Sequence, residues 1–168
     1  MEGYKRATAR EISLTQGYNA VVDEGDHARI SEKSWHVCIG RSGVRAVRNS
    51  KKEDGLEKRT TVIMAREVLG LDLHDGLIVD HRNFDTLDNR KQNLRVCSYA
   101  ESAQHRRLWG KTSGYKGVRA NGGSWEARIR HKGKLIYLGL FKHKEAAAHV
   151  YNEAALDLFG EYAQLNTI

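Results

Sequence analysis

Proline is absent from this 168-residue chain, and cysteine occurs only twice. Without proline, tight turns fall to the 16 glycines and to asparagine, which tolerate positive φ or bond their own backbone. Cys38 and Cys97 form no close pair, which argues against a disulfide framework or a cysteine-based zinc site and fits a reducing cytosol. No apolar run approaches the roughly 18 residues of a membrane-spanning helix. The opening MEGYKRATAREISLTQ lacks an apolar core, so it does not read as a secretory signal. Acid is in deficit: 28 Lys and Arg face 21 Asp and Glu, for a net charge of +7. That balance favours a polyanionic partner, nucleic acid first and anionic membrane second. Length and a hydrophobic content of 40% allow one ordinary domain or two to three small ones, with modest cores.

Residues 1–61 read as short strands between polar turns. YNAVVD, SWHVCI and VRAVRN are β-branched or aromatic-containing runs bounded by Gly, Asp, Ser or Asn. Thr61–Leu71 predicts a helix, with Val62, Ala65 and Leu69 on one stripe and Gly70 as its stop. LIVD (Leu77–Asp80) and NLRVCSY predict two strands flanking a polar loop, followed by a helix over Ala100–Trp109 and a linker at Gly110–Gly114. YKGVRAN, SWEARIRHKG and KLIYLGLF predict a three-stranded antiparallel meander, turned at Asn121-Gly122-Gly123 and Lys132-Gly133. Lys144–Glu161 predicts an amphipathic helix with Ala147, Val150, Tyr151, Ala154 and Leu158 on its apolar stripe.

Basic charge gathers in this last part. From His105 to Lys144 stand Arg106, Arg107, Lys111, Lys116, Arg119, Arg128, Arg130, Lys132, Lys134, Lys142 and Lys144, against Glu126 alone. Alternation along WEARIRHK puts Glu126, Arg128, Arg130 and Lys132 on one face, and Trp125, Ala127 and Ile129 on the other. The apolar face can sit on the helix. The other presents guanidinium forks suited to guanine edges or phosphate, on a sheet small enough to enter a major groove. The motifs YKGVR, WEARIR, YLGLF and EAAAHVYNEAALDLFGEYAQLN, in that order, resemble the plant APETALA-two / ethylene-response-factor DNA-binding domain over Ser113 to about Asn166. The resemblance implies a three-stranded sheet packed on one helix, with the sheet in the major groove. It places Arg119, Arg128, Arg130 and Tyr137 where base or backbone contacts are made; with Lys116, Trp125 and Lys134 they form the expected DNA-contact set. A family arginine on the third strand reads Leu135, and an acidic strand-two position reads Arg128, so the plant target sequence does not carry over.

The polar loop VDHRNFDTLDNRKQNLR holds the candidate chemistry. Phosphodiester hydrolysis needs an activated water, a cation on the developing charge and a positioned phosphate. Asp is a hard oxygen ligand suited to magnesium or manganese, and a neutral His accepts a proton near physiological pH. An isolated Asp-His pair is ordinarily a surface turn. Asp80-His81, LDNR with Asn89, and NLR with Asn93 together resemble the HNH (ββα-metal) nuclease motif of phage and homing endonucleases, over about Met64 to Arg107. The resemblance implies that Asp80 binds a divalent metal, that His81 is the general base, that Asn93 pins the loop and that Asn89 supports the turn. The family's third position, nine residues after Asn93, is normally Asn or His and here is Ser102; His105 lies three residues further on the same helical face. Ser102 and His105 are the remaining candidate ligands. Where many relatives carry His, this chain has Ala65.

The expected architecture is α+β: an N-terminal strand-rich region at 1–61, an HNH ββα-metal core at 62–109, and a sheet-plus-helix DNA reader at 113–168. The N-terminal region is expected to pack on the nuclease core. The expected function is a metal-dependent, site-preferring DNA endonuclease, nicking as a monomer or breaking both strands as a homodimer. Its partner is double-stranded DNA, with no membrane and no small-molecule cofactor, in the cytoplasm of a bacterial or phage-infected cell. The alternative is a non-catalytic, sequence-specific DNA-binding protein with a decayed nuclease core. His27, His36, His74, His131 and His149 show no ligand spacing, and Trp35, Trp109 and Cys97 read as core or docking residues.

Overall fold

The computed structural model describes residues 8–40, 43–50, 59–73, 75–105 and 112–168. His74, Arg106, Arg107, Trp109, Gly110 and Lys111 lie outside the described residues, and with them the end of the helix expected to reach Trp109. The chain divides into two compact units, residues 1–98 and 99–168. The fold is α+β in both.

The first unit runs β1 (Ala9–Ser13), β2 (Asn19–Asp23), α1 (Glu24–Ser31), β3 (His36–Gly40), β4 (Gly43–Asn49), β5 (Thr61–Ile63), α2 (Met64–Val68), β6 (Ile78–His81) and β7 (Leu94–Cys97). β1 and β2 form an antiparallel pair, β3-β4-β5 a three-stranded antiparallel sheet, and β6 and β7 another antiparallel pair. Three strands predicted in the N-terminal region are present. The helix expected over Thr61–Leu71 begins only at Met64. Thr61, Val62 and Ile63 are β-branched or strand-favouring, and β4 offers them a free edge, with Val47 opposite Ile63 and Arg48 opposite Val62. Helix α1 was not expected. Its stretch EGDHARIS is mostly polar and anchors through Ile30 and Asp26, too few buried positions to make a readable period.

One apolar cluster ties these elements together. It includes Ile12, Val22, Ile30, Trp35, Val37, Met64, Val68 and Leu94, so β1 to β5, both helices and the β6–β7 pair share a core. Trp35 is buried and donates its indole N–H to Ile30 O at 2.8 Å. Cys97 is buried, as its strand suggested, whereas Cys38 is exposed. Ala65, at 1% exposure, is part of this core, and its methyl offers no polar atom.

The second unit holds α3 (Tyr99–Gln104), β8 (Val118–Asn121), β9 (Ser124–His131), β10 (Lys134–Phe141) and α4 (Lys144–Phe159). The sheet order is β10-β9-β8, all antiparallel, as the meander predicts. Both connections are two-residue turns: Gly122 and Gly123, then Lys132 and Gly133, all take positive φ. Helix α4 packs on the sheet through Ala147, Ala148, Tyr151 and Ala155, residues small enough to bring helix and sheet close around one buried tyrosine. Gly160 ends the helix with φ 52°. The closest approach is at Gly117: a Cβ there would stand 2.0 Å from the Tyr151 ring, so only glycine fits. Among the described residues no helix is long and apolar enough to cross a membrane.

Candidate functional site

β6 and β7 pair Asp80 with Arg95 and His81 with Leu94, leaving residues 82–93 as the loop between them. That loop is held from inside by its own polar side chains. The Asn93 amide accepts from Asn83 N–H at 3.0 Å and donates to Asp88 O at 2.7 Å, bridging the two sides of the loop. Asn83 accepts from Asp85 N–H and donates to the Asp88 carboxylate, and Arg90 forks onto the same carboxylate through Nε and Nη2, each at 2.7 Å. The Arg90 guanidinium holds the Asp88 carboxyl below the usual carboxylate range.

The loop is also held from outside, by the N-terminal strands. Val21 N–H donates to Leu87 O at 2.8 Å, and Val21 O accepts from Asn89 N–H at 2.7 Å, a parallel bridge between β2 and the loop. The Asp23 carboxylate accepts from Lys91 N–H, Lys91 Nζ pairs with Asp26, and Thr86 donates its hydroxyl to Val44 O. The N-terminal region therefore packs on the β6–β7 loop.

His81 lies under this loop, only 8% exposed. Burial is the main influence on its imidazole and pushes the pKa below the ordinary 6.5; the Asn89 contact and the Asp80 charge pull back upward. The ring is therefore neutral at physiological pH. Asn89 is 1% exposed, and its amide nitrogen donates to Leu87 O at 3.1 Å. That bond turns the amide oxygen towards His81 Nε2, 3.4 Å away. An amide oxygen only accepts, so Nε2 carries the proton and the lone pair lies on Nδ1. Asp80 lies beside His81 on the strand, and Arg95 closes on its Oδ2 from β7.

Ser102 and His105 belong to the second unit. Ser102 is half-buried on α3, and His105 follows the helix end, buried, with its N–H on Glu101 O. Lys116 donates to Gln104 O at 2.6 Å, at the end of the same helix. Burial lowers the Lys116 ammonium to about 8.

Residues 59–104 match the family model of the HNH endonucleases. This segment is an HNH endonuclease domain. Such a domain is a phosphodiester hydrolase with DNA as its substrate, and HNH nucleases typically use divalent metal ions. Among the described residues no group of three or more His, Cys, Asp or Glu gathers to hold a metal. The donor chemistry of the HNH segment still fits a hard ion, because magnesium commonly takes one or two carboxylates and completes its shell with water and substrate phosphate. Asp80 is a carboxylate of this segment, at the end of β6. Sequence reasoning missed Arg95 as the partner of Asp80 and Asp88 as the acceptor that gathers Asn83 and Arg90 in the loop. Arg95 directly follows the Asn93-Leu94 pair, but its place opposite Asp80 depends on strand register across a long loop.

In the second unit, Arg119, Arg128 and Tyr137 share the face of the sheet away from α4, and Arg130 lies further along it. Arg119 pairs with Glu126 at 2.8 Å, and Asn121 donates to the same carboxylate oxygen at 3.0 Å. Arg130 donates to Gly133 O. Lys134 is exposed at the start of β10. Trp125 is half-buried against Val118, Ala127, Ala147 and Ala148, on the helix side.

Proposed function

We propose that this chain is a metal-dependent, site-preferring DNA endonuclease of the homing or phage type, nicking one strand per active site. The observation that carries the reading is the buried, neutral His81, with Nε2 turned to Asn89 and Asp80 beside it. His81 Nδ1 takes a proton from water as the water oxygen attacks phosphorus; the opposite phosphorus–oxygen ester bond breaks, and its electron pair leaves with the sugar oxygen, which takes a proton from solvent. Asn89 keeps the imidazole in the tautomer that can do so, and Asn93 holds the loop that supports Asn89. Asp80 would hold the divalent ion, magnesium or manganese. That ion supplies charge stabilisation at the leaving oxygen. The sheet formed by β8, β9 and β10 selects the site through Arg119, Arg128, Arg130 and Tyr137, with Lys116 and Lys134 as supporting contacts; Trp125, expected among them, packs on the helix side of the sheet instead. Resemblance to the plant DNA-binding domain and the local excess of cations support this part of the reading.

Supercoiled plasmid incubated with the protein and magnesium or manganese tests it. Wild type converts plasmid to the nicked form, chelator stops the conversion, and His81→Ala abolishes it. No nicking with either metal would sink the enzyme reading; nicking that survives in His81→Ala would sink the assignment of the base.

A second reading is a non-catalytic DNA-binding protein with a decayed nuclease core. Two observations favour it: Arg95 already stands on the Asp80 carboxylate, and a serine hydroxyl occupies the third motif position. Duplex binding without nicking under any metal would select this reading.

A further inference from the structure

The outer face of the C-terminal sheet is not uniformly polar. Register places Leu135 opposite Arg130 and Tyr137 opposite Arg128. Simple alternation would then turn Gly139 and Phe141 outward. A bulge between Tyr137 and Gly139 inserts one residue and reverses the parity, so Leu140 stands opposite Glu126 on the outer face. Phe141 turns inward and packs with Val118 and Ala127. The result is a stripe of Leu135, Tyr137 and Leu140, exposed by 51%, 62% and 51%, running along β10 beside the arginine row.

Two kinds of group on one face ask for a partner with both complements. The arginines ask for a polyanion. On the same face Glu126 already holds Arg119, whereas the Arg128 guanidinium has no hydrogen bond or ion pair among the described residues. The HNH domain on the same chain makes DNA the favoured polyanion. In the major groove of DNA the apolar group is the C5 methyl of thymine, and leucine is the kind of side chain that covers it. An anionic lipid surface would also accept cations beside leucines, but it would make no use of an ordered arginine–glutamate pair in the middle of the face.

We propose that Leu135 and Leu140, flanking Tyr137, read thymine methyl groups, so that the preferred site sets thymines beside the bases reached by Arg128 and Arg130. The inference rests on the reading of this sheet as the DNA-binding face. Leucine in place of the plant family's third-strand arginine would then exchange a hydrogen-bonded base contact for a methyl contact.

The test uses the full chain in chelator, so that no strand is cut. A random-sequence duplex pool is selected for binding, and the enriched duplex is remade with deoxyuridine for thymine. That change deletes the methyl and leaves every donor and acceptor in place. Affinity should fall about four-fold for each methyl that a leucine buries. Leu135→Ala with Leu140→Ala should bind the thymine and deoxyuridine duplexes equally; both side chains are already exposed, so their truncation spares the core. Equal wild-type affinity for the two duplexes would overturn the inference while leaving DNA binding by the sheet intact. Unchanged duplex affinity in Arg128→Ala would overturn the DNA-binding reading itself. Leucine-dependent binding to phosphatidylserine vesicles, without discrimination between the duplexes, would assign the stripe to lipid instead.

Discussion

Asp80 and Arg95 face each other across β6 and β7, and the guanidinium closes on one carboxylate oxygen through Nε at 2.9 Å and Nη2 at 2.7 Å. Both side chains are largely buried, at 5% exposure for Arg95 and 14% for Asp80. Removing one partner of such a pair leaves a charge with its compensation gone. Arg95→Met should therefore cost about 3–5 kcal/mol in urea unfolding. Manganese should raise the melting temperature of Arg95→Met more than that of wild type, because the ion then compensates Asp80 without competition. Equal shifts would show that Arg95 does not compete for the metal.

Asn93 joins the two sides of the β6–β7 loop through one accepted and one donated bond. Asn93→Ala orphans the Asn83 N–H and the Asp88 carbonyl, each at about 1–3 kcal/mol where water does not replace the partner. Plasmid nicking should fall with it. Asn93→Asp keeps the acceptor and loses the donor, so its stability should lie between the two in the same unfolding assay.

The β2 clamp acts at a distance from the chemistry. Asp23→Ala removes the carboxylate that accepts from Lys91 N–H in the loop. Nicking should fall several-fold, while binding of the C-terminal sheet to duplex stays unchanged in a gel-shift assay. An equal fall in both would refute a role confined to the nuclease loop.

Stability of the C-terminal unit should depend on alkaline pH with two opposite signs. Burial lowers Lys116 from 10.5 to about 8, so between those values the unfolded chain holds a proton that the folded chain has released. Stability then rises with pH across that window. Burial raises the Tyr151 phenol from 10.0 to about 12, so there the folded chain keeps a proton that the unfolded chain has lost, and stability falls. Urea unfolding followed through α4 signals should show the rise and then the fall. Lys116→Met should remove the rise alone.

Gly117→Ala should destabilise the C-terminal unit by about 1–3 kcal/mol from crowding, since its Cβ would meet the Tyr151 ring, and further because Gly117 has φ +74°. In a thermal melt, the cost should be smaller when Tyr151→Leu is already present.

Local pattern was enough for the meander and α4, because alternation and helical period are properties of neighbouring residues. The HNH segment was legible for a related reason: the spacing of Asp80, His81 and Asn93 along one loop matches a family pattern. By itself the amino-acid order thus determined the α+β class, the basic sheet face and the polar loop. Tertiary structure alone decided the rest. The bridge from Val21 to Asn89, the bond from Lys91 to Asp23 and the pairing of Arg95 with Asp80 join residues remote in sequence. Their register follows from which apolar residues share a core. Leu140 points outward because one inserted residue reversed the strand's parity, a choice made by Phe141 finding the core rather than by any local rule.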